Sequence, residues 1–194
     1  MDDKMLAAAT ARCDKEPLTN VSICRDDIFA SSLSEPSFDR VHLRIQLAPL
    51  GKAMQQVTTA RRLAKPNGWI VLEEPDAASW CENSLAPLAA HLRSLIAEVF
   101  ARSGGDFNAG QRLPEYLRAV GVDPATHPAS IAPEPGHPYL QSPVQFATSL
   151  RPQLLELVDE DELNRLVSAA KSELAEANRW GMTTTLVQAW GRAT

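Results

Sequence analysis

The chain has 194 residues and a mass of 21.2 kDa, which is the size of one domain. Its apolar fraction of 44% and charged fraction of 22% are ordinary for a globular protein. A net charge of -5 argues against a nucleic-acid partner, and neither a membrane-spanning run nor an N-terminal signal pattern is present. Three widely spaced cysteines favour reduced thiols over a disulfide frame or a zinc site. We therefore expect a cytoplasmic protein with no membrane partner and no metal.

The N-terminal part alternates between helix and strand signals. Alanine-rich or apolar-spaced stretches predict helices, and β-branched or continuous apolar runs predict buried strands. The predicted order is helix, strand, strand, helix, turn and strand, over 2–14, 21–26, 38–45, 49–63, 65–68 and 69–75. The last of these, WIVLEEP, opens with four apolar residues, as expected of a parallel strand covered on both faces.

The C-terminal part is mainly helical and ends in a strand. A helix over 83–103 is closed by a Gly-Gly pair, and a Pro-rich irregular stretch with a weak strand at 127–132 follows the next helix. The predicted helices and closing strand are 83–103, 113–120, 141–157, 159–178 and 182–191. Helix 159–178 carries Asp159 as its N-cap, with Glu162 three residues on. This order predicts a single α/β domain over 1–194 with a mostly parallel sheet.

Four blocks in order carry a family resemblance, namely SFDRVHLR (37–44), LAKPNGWIVLEEPD (63–76), GQRLPEYLRAVGV (110–122) and LVQAWGR (186–192). Together they resemble the class I S-adenosylmethionine-dependent methyltransferases of the small-molecule type. The resemblance implies a Rossmann-like α/β fold with sheet order 3-2-1-4-5-7-6. It further implies a helical insert or lid over 82–122 and a C-terminal antiparallel strand.

The chain departs from the family at its N-terminus. No D-x-G-x-G-x-G loop is present in the sequence, so we expect a fold truncated before the third strand, at 21–26. Without the first two strands, the fourth strand would have an unpaired edge. Three arrangements remain open. The chain is a fragment, the strands at 21–26 and 38–45 pair directly, or a second copy completes the sheet as a homodimer.

The resemblance also implies cofactor contacts. Asp27 matches the carboxylate that accepts a hydrogen bond from the adenine amino group, and the next backbone amide, that of Ile28, matches the donor to an adenine ring nitrogen. Arg44, at the end of the fourth-strand block, is the third cofactor candidate. The alternative for Asp27 is that it solvates a loop. S-adenosylmethionine is thus the implied cofactor, in a site that this chain holds only in part.

Catalytic and substrate candidates lie beyond the strongest strand, because open α/β sheets bind ligands at the carboxyl ends of their strands. Glu73, Glu74 and Asp76 at that strand end are candidate bases, with a solvated strand end as the alternative. Strand alternation puts Glu74 and Asp76 on one side and Glu73 on the other. His137 is a further catalytic candidate, in a Pro-rich loop where histidine is commonly plain surface. Trp80 and Tyr139 are candidates for lining a substrate pocket, and packing is the alternative for Trp80.

Three functions follow from these residues. The first is methyl transfer from S-adenosylmethionine to a small molecule, in natural-product or secondary metabolism. The second is a cofactor-independent cyclisation or condensation on the same fold, such as a Pictet–Spengler reaction, with Glu74 or Asp76 accepting the proton. The third is a non-catalytic, dimeric remnant that uses the edge of the fourth strand as its interface.

Overall fold

The computed structural model describes residues 3–16, 18–82 and 86–194. Over these residues the helices are α1 Asp3–Lys15, α2 Leu47–Leu50, α3 Ala53–Leu63, α4 Pro87–Arg102, α5 Leu113–Ala119, α6 Ser142–Ser149, α7 Arg151–Leu154 and α8 Glu160–Leu174. The strands are β1 Phe38–Arg44, β2 Ala64–Asp76, β3 Cys81–Glu82, β4 Ala125–Ala129, β5 Gly181–Met182 and β6 Thr185–Arg192. No helix of the described residues has the length and apolar character needed to cross a membrane. Position 2 and positions 83–85, where we predicted helix, lie outside the described residues.

The main sheet has the order β1-β2-β6-β4. β1 pairs with β2 in parallel, whereas β6 is antiparallel to both of its neighbours, β2 and β4. β1, β2 and β4 therefore run in the same direction. This is the 4-5-7-6 part of the expected strand order, with the expected antiparallel C-terminal strand, so the α/β fold class is confirmed. β3 and β5 form a separate two-stranded sheet.

The main core lies under one face of this sheet. Leu43, Ile70, Leu72 and Ala189 occupy adjacent positions across three strands and are buried. Apolar side chains of α3 and α5 close this layer, namely Val57, Ala60, Leu113, Tyr116 and Leu117. Burying this apolar surface is the main stabilising contribution to the sheet.

The opposite face of the sheet is not covered by a helix of the described residues. Trp69, Val71, Glu73 and Trp190 project there and are only partly buried. Along β2, residues of this face alternate with buried residues from Trp69 to Glu74, as the pleat requires. Charged and aromatic side chains therefore form a continuous half-exposed surface next to the strand ends.

A second apolar cluster forms a helical layer. α4, α6, α7 and α8 pack together, and Trp80, Phe107, Phe100 and Phe146 join them through ring contacts of 4.4–6.5 Å between centroids. The segment 82–122, predicted as an insert, is shared between the two clusters. α4 belongs to the helical layer, whereas residues 109–117 pack under the sheet. The assignment of 82–122 as a lid stays a prediction.

The predicted strand at 21–26 is wrong. Residues 21–27 have no regular secondary structure, and Val21 and Ile23 are more than 40% exposed. A β-branched run forms a strand only where a neighbouring strand satisfies its backbone groups, and this one has no neighbour in the described sheet. Direct pairing of 21–26 with the strand at 38–45 is therefore also wrong, and β1 is an edge strand.

Other predicted elements are interrupted. The helix over 49–63 is split into α2 and α3, because Gly51 and Lys52 both have positive φ angles. The turn at 65–68 is a bulge within β2. The register moves from Phe38 opposite Ala64 to Arg40 opposite Trp69, which leaves extra residues on β2. The helix over 141–157 breaks at Leu150.

Candidate functional site

A cavity of about 350 Å³ lies beyond the carboxyl ends of the parallel strands. Residues at or just after the ends of β1 and β4 reach it, together with the segment that leads into β6. α6 and the 3-10 turn over 138–141 close it from the side of the helical layer. The size is near the lower end for small-molecule sites, which span about 300–1,000 Å³.

The cavity wall is mainly apolar and carries hydroxyl groups. The apolar and aromatic members are Ile45, Trp80, Ala129, Ile131, Phe146 and Leu186. The polar members are Arg44, Ser130, Tyr139, Ser142, Thr183 and Thr184. No carboxylate or imidazole of the described residues is in this wall. Arg44 is thus the single charged side chain among them.

Arg44 is held by an acidic residue on the neighbouring strand. Its Nε lies 3.2 Å from Oε2 of Glu73, whose side chain is 13% exposed. Gln188 donates a hydrogen bond of 2.9 Å to Oε1 of Glu73, and Nε2 of His42 lies 3.4 Å from the same oxygen. These contacts follow from the register, because Arg44, Glu73 and Gln188 are cross-strand neighbours on the open face. The guanidinium is therefore oriented before any ligand binds.

Glu74, a predicted catalytic base, is fully buried on the opposite face. Its carboxylate accepts hydrogen bonds from the backbone N–H groups of Gln46, Leu47 and Ala48, at 2.7, 2.8 and 3.1 Å. Burial raises the pKa of Glu74, while the three amides act in the opposite direction. The carboxylate therefore ties β2 to the start of α2, and it is not among the residues that line the cavity. Its catalytic role stays a prediction.

The carboxylate of Asp76, another predicted base, also accepts hydrogen bonds from neighbouring residues. Its Oδ1 accepts from the backbone N–H of Ala78 at 3.0 Å and from Nε2 of Gln111 at 2.8 Å. It thereby caps the 3-10 turn over 77–79. This turn carries the chain from β2 to Trp80. Asp76 does not line the cavity, and its role in catalysis stays a prediction.

The predicted adenine contacts lie in the irregular segment before β1. Oδ1 of Asp27 accepts from the backbone N–H of Phe29 at 3.0 Å, and the Asp27 side chain is exposed. The Ile28 side chain packs against the core under the sheet. Neither residue lines the cavity. Their role in cofactor binding stays a prediction.

Tyr139 lines the cavity and His137 lies beside it. Tyr139 is half exposed, and its ring centroid lies 5.1 Å from that of His137. Nδ1 of His137 accepts a hydrogen bond from the backbone N–H of Tyr139 at 3.2 Å. His137 thus shapes the turn that presents Tyr139. It is not itself in the cavity wall, and its catalytic role stays a prediction.

Trp80 both packs in the helical layer and lines the cavity. It is 7% exposed, with Phe107 and Phe146 at centroid distances of 5.8 and 5.6 Å. Arg93 donates to the Trp80 carbonyl oxygen, and its guanidinium lies 5.9 Å from the indole ring. Glu82 pairs with the same guanidinium at 3.1 Å. Trp80 therefore packs in the helical layer and lines the cavity at the same time, and a largely buried ion pair contacts it.

Several wall residues were absent from the sequence-based candidates. Phe146 lies on α6, and Ser130 and Ile131 follow β4. Thr183 and Thr184 belong to the threonine run before β6, which is the one local signal of a polar wall. The others reach the cavity through tertiary packing. Across residues 3–16, 18–82 and 86–194, no group of three His, Cys, Asp or Glu side chains is arranged to hold a metal ion.

Comparison by sequence finds no matching family model and no matching curated protein. Comparison of structures gives matches over nearly the whole chain. The YcgJ protein from Bacillus subtilis has a TM-score of 0.60 at 13% identity, over 98% of this chain and 80% of that protein. A protein assigned as a methyltransferase from Bacillus halodurans has a TM-score of 0.59 at 10% identity, over 100% of this chain and 80% of its own.

A third solved structure is the [4+2]-cyclase SpnF, with a TM-score of 0.52 at 12% identity. The match covers 97% of this chain and 63% of the cyclase, so the chain spans less than two thirds of it. At identities of 10–13%, these likenesses establish the fold. The chain has the Rossmann-like fold of the methyltransferases.

Proposed function

We propose that this chain binds a small, largely apolar molecule in the cavity and acts in its methylation from S-adenosylmethionine. The position of the cavity carries the proposal. It lies beyond the carboxyl ends of β1, β2 and β4, which is where open α/β sheets bind their ligands. The fold shared with a protein of Bacillus halodurans assigned as a methyltransferase supports this reaction class.

The described residues fit part of the cofactor. Oδ2 of Asp27 accepts no hydrogen bond within the described chain, and the Ile28 backbone N–H donates none there. Both are of the right chemistry for an adenine edge. No described residue forms a glycine-rich strand-to-helix turn for the methionine end. The bound cofactor would supply the methyl group, and the residues of this chain position the acceptor.

The chemistry of the wall limits the acceptor. With no carboxylate or imidazole among the described lining residues, the cavity offers no general base of ordinary pKa. The acceptor must therefore be nucleophilic as it binds, as a free amine, a thiolate or a carboxylate is. Trp80, Phe146 and Tyr139 hold its apolar part, and enclosure orients the nucleophile for in-line displacement.

A cofactor-independent cyclisation is the second candidate. The same lack of a base favours a pericyclic reaction, which moves no proton, over Pictet–Spengler chemistry, which needs a proton acceptor. The fold is shared with a [4+2]-cyclase. Glu74 and Asp76, the proton acceptors suggested above, do not line the cavity.

Calorimetric titration with S-adenosylmethionine separates the two candidates. We expect sub-millimolar binding by the 194-residue chain, weakened in Asp27→Ala and unchanged in the control Asp14→Ala, an exposed carboxylate on α1. Methyl incorporation from labelled cofactor into a panel of amines, thiols and carboxylates then tests turnover. Absence of cofactor binding, with conversion of polyene substrates, would replace methyl transfer by the second candidate.

A pair of substitutions on β4 tests the cavity itself. Ala129 lines it, whereas Ala125 lies on the same face of the same strand outside it. Both are exposed, so tryptophan is tolerated at either position. Ala129→Trp should abolish acceptor binding and turnover, and Ala125→Trp should retain both. Equal activity in the two variants would show that the reaction takes place elsewhere.

Homodimer formation through the edge of β1 stays a proposal for the quaternary structure. The edge strand has unpaired backbone groups on one side. Arg40, His42 and Arg44 alternate along it and oppose close approach of a second copy. Sedimentation equilibrium of the full chain measures the outcome directly. A chain that is monomeric at all concentrations and shows no turnover would also contradict the third predicted function, a non-catalytic dimeric remnant.

A further inference from the structure

We infer that the acceptor carries a carboxylate, and that the Arg44 guanidinium binds it at the edge of the cavity. The inference rests on the proposed small-molecule function of this site. It adds a substrate class, namely an aromatic or other flat apolar acid. Three observations carry it, and each concerns a different part of the site.

The first observation is the free donor set of Arg44. Its ion-pair partner in the described chain is Glu73, with Nε 3.2 Å from Oε2. Within the described chain the two terminal nitrogens donate no hydrogen bond and have no acidic neighbour other than Glu73, and the side chain is 62% exposed. A guanidinium presents its donors in a planar fork that matches a carboxylate in bidentate geometry. Arg44 thus keeps the terminal pair of donors available for a ligand.

The second observation is that the Arg44 guanidinium is oriented before a ligand binds. Glu73 is held from its other side by Gln188 at 2.9 Å, and it is 13% exposed. An arginine fixed through Nε loses less rotational freedom when it binds than a free side chain does. Glu73 therefore works as a positioning residue for Arg44. It leaves the outer face of the guanidinium to the ligand.

The third observation is the charge and shape of the wall. Arg44 is the single charged residue among the described lining residues, and the carboxylate that pairs with it, that of Glu73, is not among them. The remaining wall offers aromatic surfaces from Trp80, Phe146 and Tyr139 and hydroxyl donors such as Ser130. A cationic group next to an aromatic cavity favours a ligand with an anionic end and a flat apolar body. A cationic ligand would find no carboxylate among the described lining residues to pair with.

One alternative source of the same chemistry is the carboxylate of the methionine end of S-adenosylmethionine, since the sequence resemblance placed Arg44 with the cofactor. The apolar wall that adjoins Arg44 favours the acceptor. The two sources are distinguished by competition. An acceptor carboxylate bound at Arg44 leaves the cofactor free to bind at the same time, whereas a shared position makes the two ligands exclude each other.

The test compares 1-naphthoate with its neutral analogue 1-naphthamide, by fluorescence quenching of the indole in the wall and by calorimetry. For the unmodified chain we expect the carboxylate to bind at least about tenfold more tightly than the amide, as a charge-assisted pair implies. Arg44→Gln should reduce this preference to within about threefold. The matched control is Arg40→Gln, on the same strand and face but outside the cavity wall, and it should keep the preference. Added salt should reduce the preference only where Arg44 is present.

Each result decides the inference. A preference that survives Arg44→Gln overturns it, as does failure of both probes to bind. Displacement of 1-naphthoate by S-adenosylmethionine assigns Arg44 to the cofactor and also overturns it. Failure of the proposed function gives a different result, namely retained preference for the carboxylate with no cofactor binding and no methyl incorporation. Circular dichroism of each variant confirms folding, since both arginines are exposed.

Discussion

The buried carboxylate of Glu74 gives the sharpest prediction about stability. It accepts three backbone N–H groups at 2.7, 2.8 and 3.1 Å, and those of Leu47 and Ala48 belong to buried residues. A buried donor without an acceptor costs about 1–3 kcal/mol. Glu74→Ala leaves both donors unpaired, so we expect the free energy of unfolding to fall by about 2–6 kcal/mol. Because α2 has a single turn, the loss should extend to the whole junction after β1.

Urea unfolding of the full chain, followed by circular dichroism, measures this change. Glu73→Ala is the matched control, one residue earlier on the same strand and projecting to the open face. Its ion pair with the exposed Arg44 should contribute less than about 1 kcal/mol. Glu74→Gln keeps one acceptor oxygen and should fall between the two. If Glu74→Ala lies within about 1 kcal/mol of the unmodified chain, the amides find other acceptors and the capping argument is wrong.

Three further predictions concern the same framework. Burial raises the pKa of Glu74, so the stability that its protonated form contributes should be lost as pH rises from the ordinary carboxyl range through the raised pKa. The free energy of unfolding should therefore fall with pH in this range by up to about 1.4 kcal/mol per pH unit. Urea titrations of Glu74→Gln should show that this pH dependence is removed. Arg93→Met should lower the free energy of unfolding by about 3–5 kcal/mol, because it leaves the Glu82 carboxylate buried without a partner. Adding Glu82→Gln should restore a large part of the lost stability. A double variant as unstable as Arg93→Met would contradict this reasoning. Gly51→Ala should prevent stable folding, because its Cβ would overlap a backbone carbonyl, whereas Gly121→Ala, also at positive φ but in open space, should cost only about 1–2 kcal/mol by thermal unfolding.

Much of the fold was predictable because local patterns carry it. The run of apolar residues from Trp69 to Leu72 is enough to identify the buried part of β2. Asp159 caps α8 as predicted, accepting the Glu162 N–H at 2.7 Å, since a cap depends on residues three apart. The strand order followed from the family resemblance and is confirmed for the four strands of the main sheet.

The candidate site was predictable only in part. Arg44, Trp80 and Tyr139 were singled out, and the cavity brings them together. Phe146 and Ile131 were not, because they reach the wall from elements distant in sequence. Alternation along β2 placed Glu73 and Glu74 on opposite faces. It did not indicate that one would orient an arginine and the other would cap α2.

The sequence by itself determined the kinds of elements, their order and the alternation of faces, because these depend on contacts within a few residues. Tertiary structure decided whether each predicted element had a neighbouring segment to pair or pack with. The run at 21–26 has strand composition but no neighbouring strand, and so it is irregular. Glu74 accepts hydrogen bonds from amides 26–28 residues away, a capping contact that no local pattern indicates. A side chain's chemistry is set by what surrounds it, and in this chain those surroundings come from distant segments.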